Sequence, residues 1–411
     1  MKNKPVTDWK TDYDIFAKEY IKNPFPTWDN LREECPVAHT ERWGGSWMPT
    51  RYEDLFKIAQ DIQHFSSREV LVAPGGPGRG EDEEPDEDFP EELRDYEIGA
   101  PPITSDPPIH TWARRLLLPP FSNKSIAKWE PVTREQCRLL IDGFIENGRA
   151  DAAVDYSQQI PPYIIASMLG IPKEMSGTFT EWVRGALELG LTNVDVQSEA
   201  MRNIFLFLWE RIQEHKDHPQ DDLISYLLSA EVDGKPVEET HVLGTCFLIL
   251  LAGIDTTWSS IGSALWHLAQ HPEDRARLIA EPELITSAVE EFLRAYSPVT
   301  MARVVTEDYE YNGCPMSEGD KVIMNFPAAN RDPAKFKDPD KFIIDREENP
   351  HIAFGVGIHR CAGSNLARME MRVSIEEWLK RIPEFRLEDP EAVTWAGGQV
   401  RGPRTMTVVW P

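Results

Sequence analysis

Phe354-Gly355-Val356-Gly357-Ile358-His359-Arg360-Cys361-Ala362-Gly363 places one cysteine between glycines, just ahead of a helical run at 364–381. Glycines allow the backbone to turn tightly and to approach a flat ligand closely. A helix beginning at Ser364 aims its N-terminal end at the sulfur, which favours thiolate over thiol. A thiolate held this way meets the requirements for binding a haem iron through one sulfur. The competing reading is a buried free cysteine in a glycine turn, serving as a small apolar residue.

The spacing Phe-Gly-x-Gly-x-His-x-Cys-x-Gly resembles the haem-binding loop of the cytochrome P-450 superfamily at every defining position. That resemblance implies the cytochrome P-450 fold, with heme b (iron protoporphyrin IX) as cofactor and Cys361 as the ligand of its iron. Phe354, Gly355, His359 and Gly363 would surround it.

The chain has 411 residues, 41% of them hydrophobic and 27% charged, as in an ordinary enzyme. Lys and Arg number 43 against 69 Asp and Glu, for a formal charge of −26. So acidic a chain is a poor candidate for nucleic acid or for an anionic membrane surface. The N-terminus leads into polar sequence without a signal-peptide core. The longest apolar run, 246–254, stops at Asp255 and is too short to span a bilayer. Five scattered cysteines include no Cys-x-x-Cys pair, which excludes a zinc ribbon and disfavours a disulfide framework. A reduced, cytoplasmic setting is expected.

Apolar spacing of three and four predicts helices at 157–168, 198–216, 240–270, 283–296 and 364–381. Short β-like runs fall at 44–49, 302–325 and 405–410. With no repeat and no strand–helix alternation, the chain reads as mainly α with a minor β region. No linker divides it, so 1–411 is expected to be a single domain. Nothing resembling a reductase follows Cys361, and electrons must come from another protein. Residues 81–97 hold eleven acids against one base, Arg94. That makes 74–97 a solvated acidic loop, with a lid over a substrate entrance as the functional alternative.

Ala252-Gly253-Ile254-Asp255-Thr256-Thr257 interrupts the run at 240–270. A Thr hydroxyl can bond the carbonyl four residues back, so Thr256 is expected to bond Ala252 and open a groove. The groove resembles the family's oxygen-binding site, formed by Ala252 and Gly253. Reduction of O2 there consumes protons: Thr256 would hold the oxygen and a water, and Asp255 would relay protons from solvent.

Glu291-Phe292-Leu293-Arg294 resembles the family's Glu-x-x-Arg motif, with Arg346 as its partner and a structural role for all three. Haem propionates need cationic partners, which Arg supplies best. Asp106-Pro107-Pro108-Ile109-His110-Thr111-Trp112-Ala113-Arg114 matches a family segment and supplies His110 and Arg114. Arg303 and His359 complete the set.

The chain looks most like soluble bacterial members served by a ferredoxin-type iron–sulfur protein and its NAD(P)H reductase. Arg115, Arg360, Arg368 and Arg372 would form a basic docking patch for that partner. The resemblance places Val70, Leu71, Ile98, Leu187, Leu191, Leu248, Leu251, Ala252, Val299, Thr300, Met301 and Val400 near the substrate. They are largely apolar, so a small or medium hydrophobic substrate is expected; Arg401, if turned inward, would instead anchor a carboxylate. The implied reaction is oxygen insertion from O2. A peroxide-driven or reductant-independent isomerase or dehydratase is the alternative, and a non-enzymatic haem sensor a weaker one. Retention of both Asp255 and Thr256 favours oxygen activation.

Overall fold

The apolar stretch at 240–270 forms one helix of 32 residues, Glu239–Gln270. At about 1.5 Å per residue it runs roughly 48 Å, enough to cross a whole domain. It is buried nearly all round, as expected of a helix apolar on every face. Helices Ile160–Met168, Val194–Asp217 and Ser364–Arg381 and the strand Gly402–Thr405 pack around it. It alone among the described residues is long and apolar enough to cross a bilayer, and 78% of that window is buried inside the protein.

The computed structural model describes residues 4–73, Pro90, Leu93 and 99–411. The acidic stretch 74–97, apart from Pro90 and Leu93, lies outside the described residues, as does Ile98.

Helix boundaries follow local chemistry. The helix expected from residue 157 begins at Ile160, because Pro161 and Pro162 fit only its first turn. The one expected from 198 starts earlier, at Val194, where the Asn193 side chain accepts from the Val196 N–H.

Five short strands form one sheet in the order Val37–Thr40, Ser46–Pro49, Lys321–Met324, Met301–Val305, Phe65–Ser66. All pairings are antiparallel except Val322 beside Trp47. Arg303 lies opposite Val322 in the middle of this sheet. The run at 302–325 is therefore not one element. It breaks into four strands, and Asn312 (φ 50°) with Gly313 (φ 81°) turns the hairpin Tyr309–Tyr311/Cys314–Met316. Helices dominate and the sheet is small: the fold is mainly α with a minor β region.

One contact fixes the site. A Cβ on Gly402 would come within 2.4 Å of Ser259, and one on Gly262 within 2.8 Å of Pro403. Only glycines let the C-terminal strand lie this close to the central helix, and that placement delivers Arg404 to Asp255.

Candidate haem-thiolate active site

Gly355 (φ 67°) and Gly357 (φ 72°) occupy left-handed backbone that favours glycine. At Gly357 the space is closed as well, since a Cβ would meet the Ala59 carbonyl oxygen at 2.8 Å. The loop is tied back by the Cys361 N–H donating to Phe354 O at 2.8 Å. Helix Ser364–Arg381 begins directly after it. Cys361 is exposed, yet protein surrounds the sulfur closely enough for desolvation to push its thiol pKa up. The Gly363 N–H, Arg114, Arg360 and Arg368 oppose that rise without reversing it. The Gly363 N–H at the start of the helix thus favours the thiolate, as expected from the sequence, while burial works against it. A coordinated metal ion would remove the proton outright.

His110, Arg114, Arg303 and His359 converge. The two imidazoles sit 4.3 Å apart, centroid to centroid. Burial drives His359 down to about 3, with Arg303, His110 and Arg114 adding to the shift. Burial likewise lowers Arg303 to about 10. His110 Nε2 and His359 Nε2 are buried without a hydrogen-bond partner. Among the described residues Arg303 bonds the Ala302 carbonyl and the Met301 sulfur, at 2.8 and 3.9 Å. Asp106, whose charge Arg303 and His110 sense, accepts instead from the Ser66 hydroxyl and the Ser67 N–H. Among the described residues, four cationic or polar groups thus share a region without a bonded anion. Buried polar atoms ordinarily have partners, and the two carboxylates of a haem fit this set.

On the central helix, Leu248, Ala252, Gly253 and Thr256 break an otherwise continuous burial. Positions 248, 252 and 256 share one helical face, so this is an open strip. Thr256 Oγ1 donates to Ala252 O at 2.8 Å. Gly253 has a packing duty: a Cβ there would strike Ile165 at 2.5 Å.

Asp255 is fully buried. Arg404 Nη2 donates to its two oxygens at 2.9 and 3.2 Å, and Ser259 Oγ to Oδ1 at 3.1 Å. Arg404 also donates to Ser259 Oγ at 3.0 Å and to Glu188 Oε2 at 2.8 Å. Arg184 holds Glu188 from its other side, at 3.0 and 3.2 Å. Burial pushes Asp255 up, Arg404 pulls it down and Glu188 pushes it up again; the net shift is upward. Asp255 itself is out of contact with solvent and is linked through Arg404 to the partly exposed Glu188 and Arg184. Arg404, Glu188 and Arg184 were missed in the sequence because they lie far apart in it, with no motif spacing.

The structural trio comes together. Arg294 donates to both Glu291 oxygens at 2.8 Å, and Arg346 Nε reaches the same oxygens at 3.1 and 3.0 Å. Arg294 further bonds the carbonyls of Asn330, Pro339 and Lys341, which fixes the segment leading into the thiolate loop.

Of the expected pocket residues, Val70, Val299, Thr300 and Val400 gather through main-chain links and the Gln399 side chain, while Met301 pairs with Met324 in the sheet. Val299 bridges Val400, the Thr300 N–H donates to Gln399 O, and the Gln399 amide donates to Val70 O. Leu71, like Val70, is half-buried. Leu187, Leu191 and Leu251 are buried. Arg401 does not turn inward as a carboxylate anchor. It donates to the carbonyls of Ile21 and Lys22 and lies over Phe25 and Trp395. In the expected basic patch, Arg368 is held by Glu290 and Arg372 by Glu130 and Glu376, whereas Arg115 and Arg360 are exposed and form no ion pair among the described residues.

A cysteine presented on glycine turns beside a cationic cluster short of anions defines a haem-thiolate protein. A family model described as cytochrome P450 matches residues 182–394. The chain is 31% identical to the polyketide biosynthesis cytochrome P450 PksS of Bacillus subtilis, over 92% of this chain and 93% of that protein. It is 32% identical to a vitamin D(3) 25-hydroxylase of Pseudonocardia autotrophica, over 93% and 92% respectively. The solved structure of P450BioI, in complex with hexadec-9Z-enoic acid ligated acyl carrier protein, superposes with a TM-score of 0.83. Its identity is 28%, over 96% of this chain and 99% of that one. The chain belongs to the cytochrome P450 family and is an enzyme of its monooxygenase class, an oxidoreductase with a haem-iron cofactor.

Proposed function

We propose that this P450 inserts one oxygen atom into a small to medium-sized hydrophobic substrate, taking electrons from a separate ferredoxin and its NAD(P)H reductase. Heme b is the proposed form of the cofactor, held by Cys361 and by His110, Arg114, Arg303 and His359 at its carboxylates. The bound group supplies O2 binding and the oxidising power for attack on a carbon–hydrogen bond. The rest falls to the chain's own side chains. Thr256, bonded to Ala252 O, places a hydroxyl on the open strip where it can orient a water and hold a proton. Asp255 stands one residue behind as the proton reservoir, its pKa raised by burial. Its release from Arg404 would admit protons to Thr256, and its re-pairing would shut out water. Leu248, Ala252, Val299 and Val400 offer mainly apolar contact, which selects by shape and by removal of water.

The observation that carries this reading is the Asp255–Thr256 pair set beside an open strip on a buried helix. Relatives named as hydroxylases support oxygen insertion over isomerisation. The proposal extends to one domain and a cytoplasmic setting, supported by the scattered reduced cysteines and the buried central helix. The test is a titration of ferric holoenzyme with terpenoids, alkyl-aromatics and carboxylic acids, following the haem Soret band. A low- to high-spin shift with an apolar class is expected. A shift with carboxylic acids alone would refute the hydrophobic assignment.

A further inference from the structure

The C-terminal end of the central helix carries a group of ligands that the oxygenase chemistry does not use. His267 and His271 lie one turn apart, and Asp274 lies in the first turn of the next helix, Pro272–Ala280. One ligand atom from each of the three lies within 4.8 Å of the other two. His267 Nε2 is 2.9 Å from Asp274 Oδ2, and His267 Nδ1 is 2.7 Å from the Tyr296 hydroxyl. We propose that His267, His271 and Asp274 form a binding site for a divalent transition-metal ion of the zinc class, joining the end of the central helix to the helix that follows.

Three features favour an ion over a plain hydrogen-bond cluster. The ligand set is right: two imidazoles and one carboxylate suit zinc and leave a further position for water or for Glu273. Zinc bonds of about 2.0–2.1 Å set tetrahedral ligand atoms about 3.3 Å apart. His267 Nε2 and Asp274 Oδ2, 2.9 Å apart, are already near that spacing, whereas the His271 ring stacks on His267 with centroids 4.2 Å apart and must rotate to aim a nitrogen at the same point. His271 is half exposed, with its side chain 45% accessible, and can make that rotation.

His267 is also prepared from behind. It is buried against Phe292 and Phe342, with ring centroids 5.6 and 4.1 Å away, so its orientation is fixed. Tyr296 can both donate and accept. Without metal its hydroxyl donates to Nδ1 while Nε2–H donates to Asp274. With metal, Nε2 gives its lone pair to the ion and Nδ1–H donates to the Tyr296 oxygen. Such an outer partner on the distal nitrogen is usual for a metal-bound histidine. The helix's last carbonyls add partial negative charge at the same place. Arg275 does not compete for Asp274, since its guanidinium is bonded to the carbonyls of Leu268 and Phe385.

The test titrates chelator-treated holoenzyme with zinc chloride by calorimetry, alongside His271→Ala, Asp274→Asn and Tyr296→Phe. One zinc ion per chain is expected, in the micromolar range or tighter, with two imidazoles seen at the zinc K-edge. His271→Ala and Asp274→Asn should each weaken binding more than about tenfold and Tyr296→Phe about tenfold, with the haem spectrum unchanged. Zinc should raise the thermal midpoint of the wild type but not of His271→Ala. Absence of saturable binding would overturn the site, as would saturable binding that His271→Ala leaves undiminished.

Discussion

Arg404 and Asp255 form a buried pair across the molecule's longest helix and its C-terminal strand, one guanidinium nitrogen reaching both carboxylate oxygens at 2.9 and 3.2 Å. Removing one partner strands the other charge in a desolvated place, at a cost of about 3–5 kcal/mol. Arg404→Met should therefore lower the urea midpoint strongly. Arg404→Met with Asp255→Asn should regain much of that loss, because no unpaired charge remains. If the double variant is no more stable than the single one, the pair is not what holds the strand to the helix.

Thr256 should separate electron flow from product. Its hydroxyl makes one local bond to Ala252 O, so Thr256→Ala should cost only about 1 kcal/mol in stability. Electron consumption should continue at a similar rate while product per NAD(P)H falls severalfold and hydrogen peroxide rises. Asp255→Asn should instead slow total turnover. Equal coupling in wild type and Thr256→Ala would remove Thr256 from proton delivery.

Gly357→Ala tests the thiolate loop. The substitution forces an alanine to φ 72° and places its Cβ 2.8 Å from the Ala59 carbonyl oxygen. Strain of this kind costs about 1–3 kcal/mol. Reduced haem retention and a lower thermal midpoint are expected. Gly177→Ala is the control, because its Cβ would meet nothing within 4 Å and it lies outside the thiolate loop. Identical haem content in wild type and Gly357→Ala would show that the loop can yield.

Legibility in the sequence tracked how local each determinant is. The thiolate loop, the Thr256–Ala252 notch and the central helix are set by residues a few positions apart, and all were readable. The Glu291–Arg294–Arg346 trio was readable only through the family resemblance, since a Glu and an Arg one helical turn apart are commonplace and Arg346 lies 52 positions beyond Arg294. Arg404 was not, since its role depends on Gly262 and Gly402 bringing a distant strand against the helix. The strand Val37–Thr40 was missed for a similar reason: four residues carry too little pattern, and pairing with Ser46–Pro49 defines it. Arg368 and Arg372 were read as free charges because their acids, Glu290, Glu130 and Glu376, are supplied largely by other elements.

Glu290 gives the protein an acid-sensitive clamp. Arg368 donates to both its oxygens at 2.6 and 2.8 Å, and His351 Nε2 lies 3.0 Å away. Burial raises the Glu290 pKa, but Arg368 and His351 outweigh it and bring it down to about 2. The unfolded value is about 4.3. Because the folded pKa is the lower one, the clamp stabilises fully above about pH 4.3 and is lost as pH falls toward 2. The difference in urea midpoint between wild type and Glu290→Gln should therefore shrink from pH 5 to pH 3. A difference independent of pH would mean that Glu290 acts through packing alone. The clamp also bears on the thiolate loop, since the Arg368 guanidinium lies over the Phe354 ring, 4.5 Å from its centroid.

Arg115 and Arg360 should govern docking of the electron donor more than Arg368 and Arg372 do. Both are exposed, and neither forms an ion pair among the described residues. Arg360 is adjacent to Cys361, and Arg115 to Arg114 of the cationic cluster. An acidic ferredoxin would gain from these two charges, whereas Arg368 and Arg372 are already neutralised by neighbours. Steering between exposed charges weakens with salt, because screening sets in over about 10 Å at 0.1 M. The reduction rate should fall as salt rises, and Arg360→Glu with Arg115→Glu should lower both the rate and its salt slope. Arg372→Glu should cost stability through Glu130 and Glu376 while leaving that slope nearly intact. A salt-independent rate, or a larger slope change from Arg372→Glu than from the Arg115/Arg360 pair, would place the docking surface elsewhere.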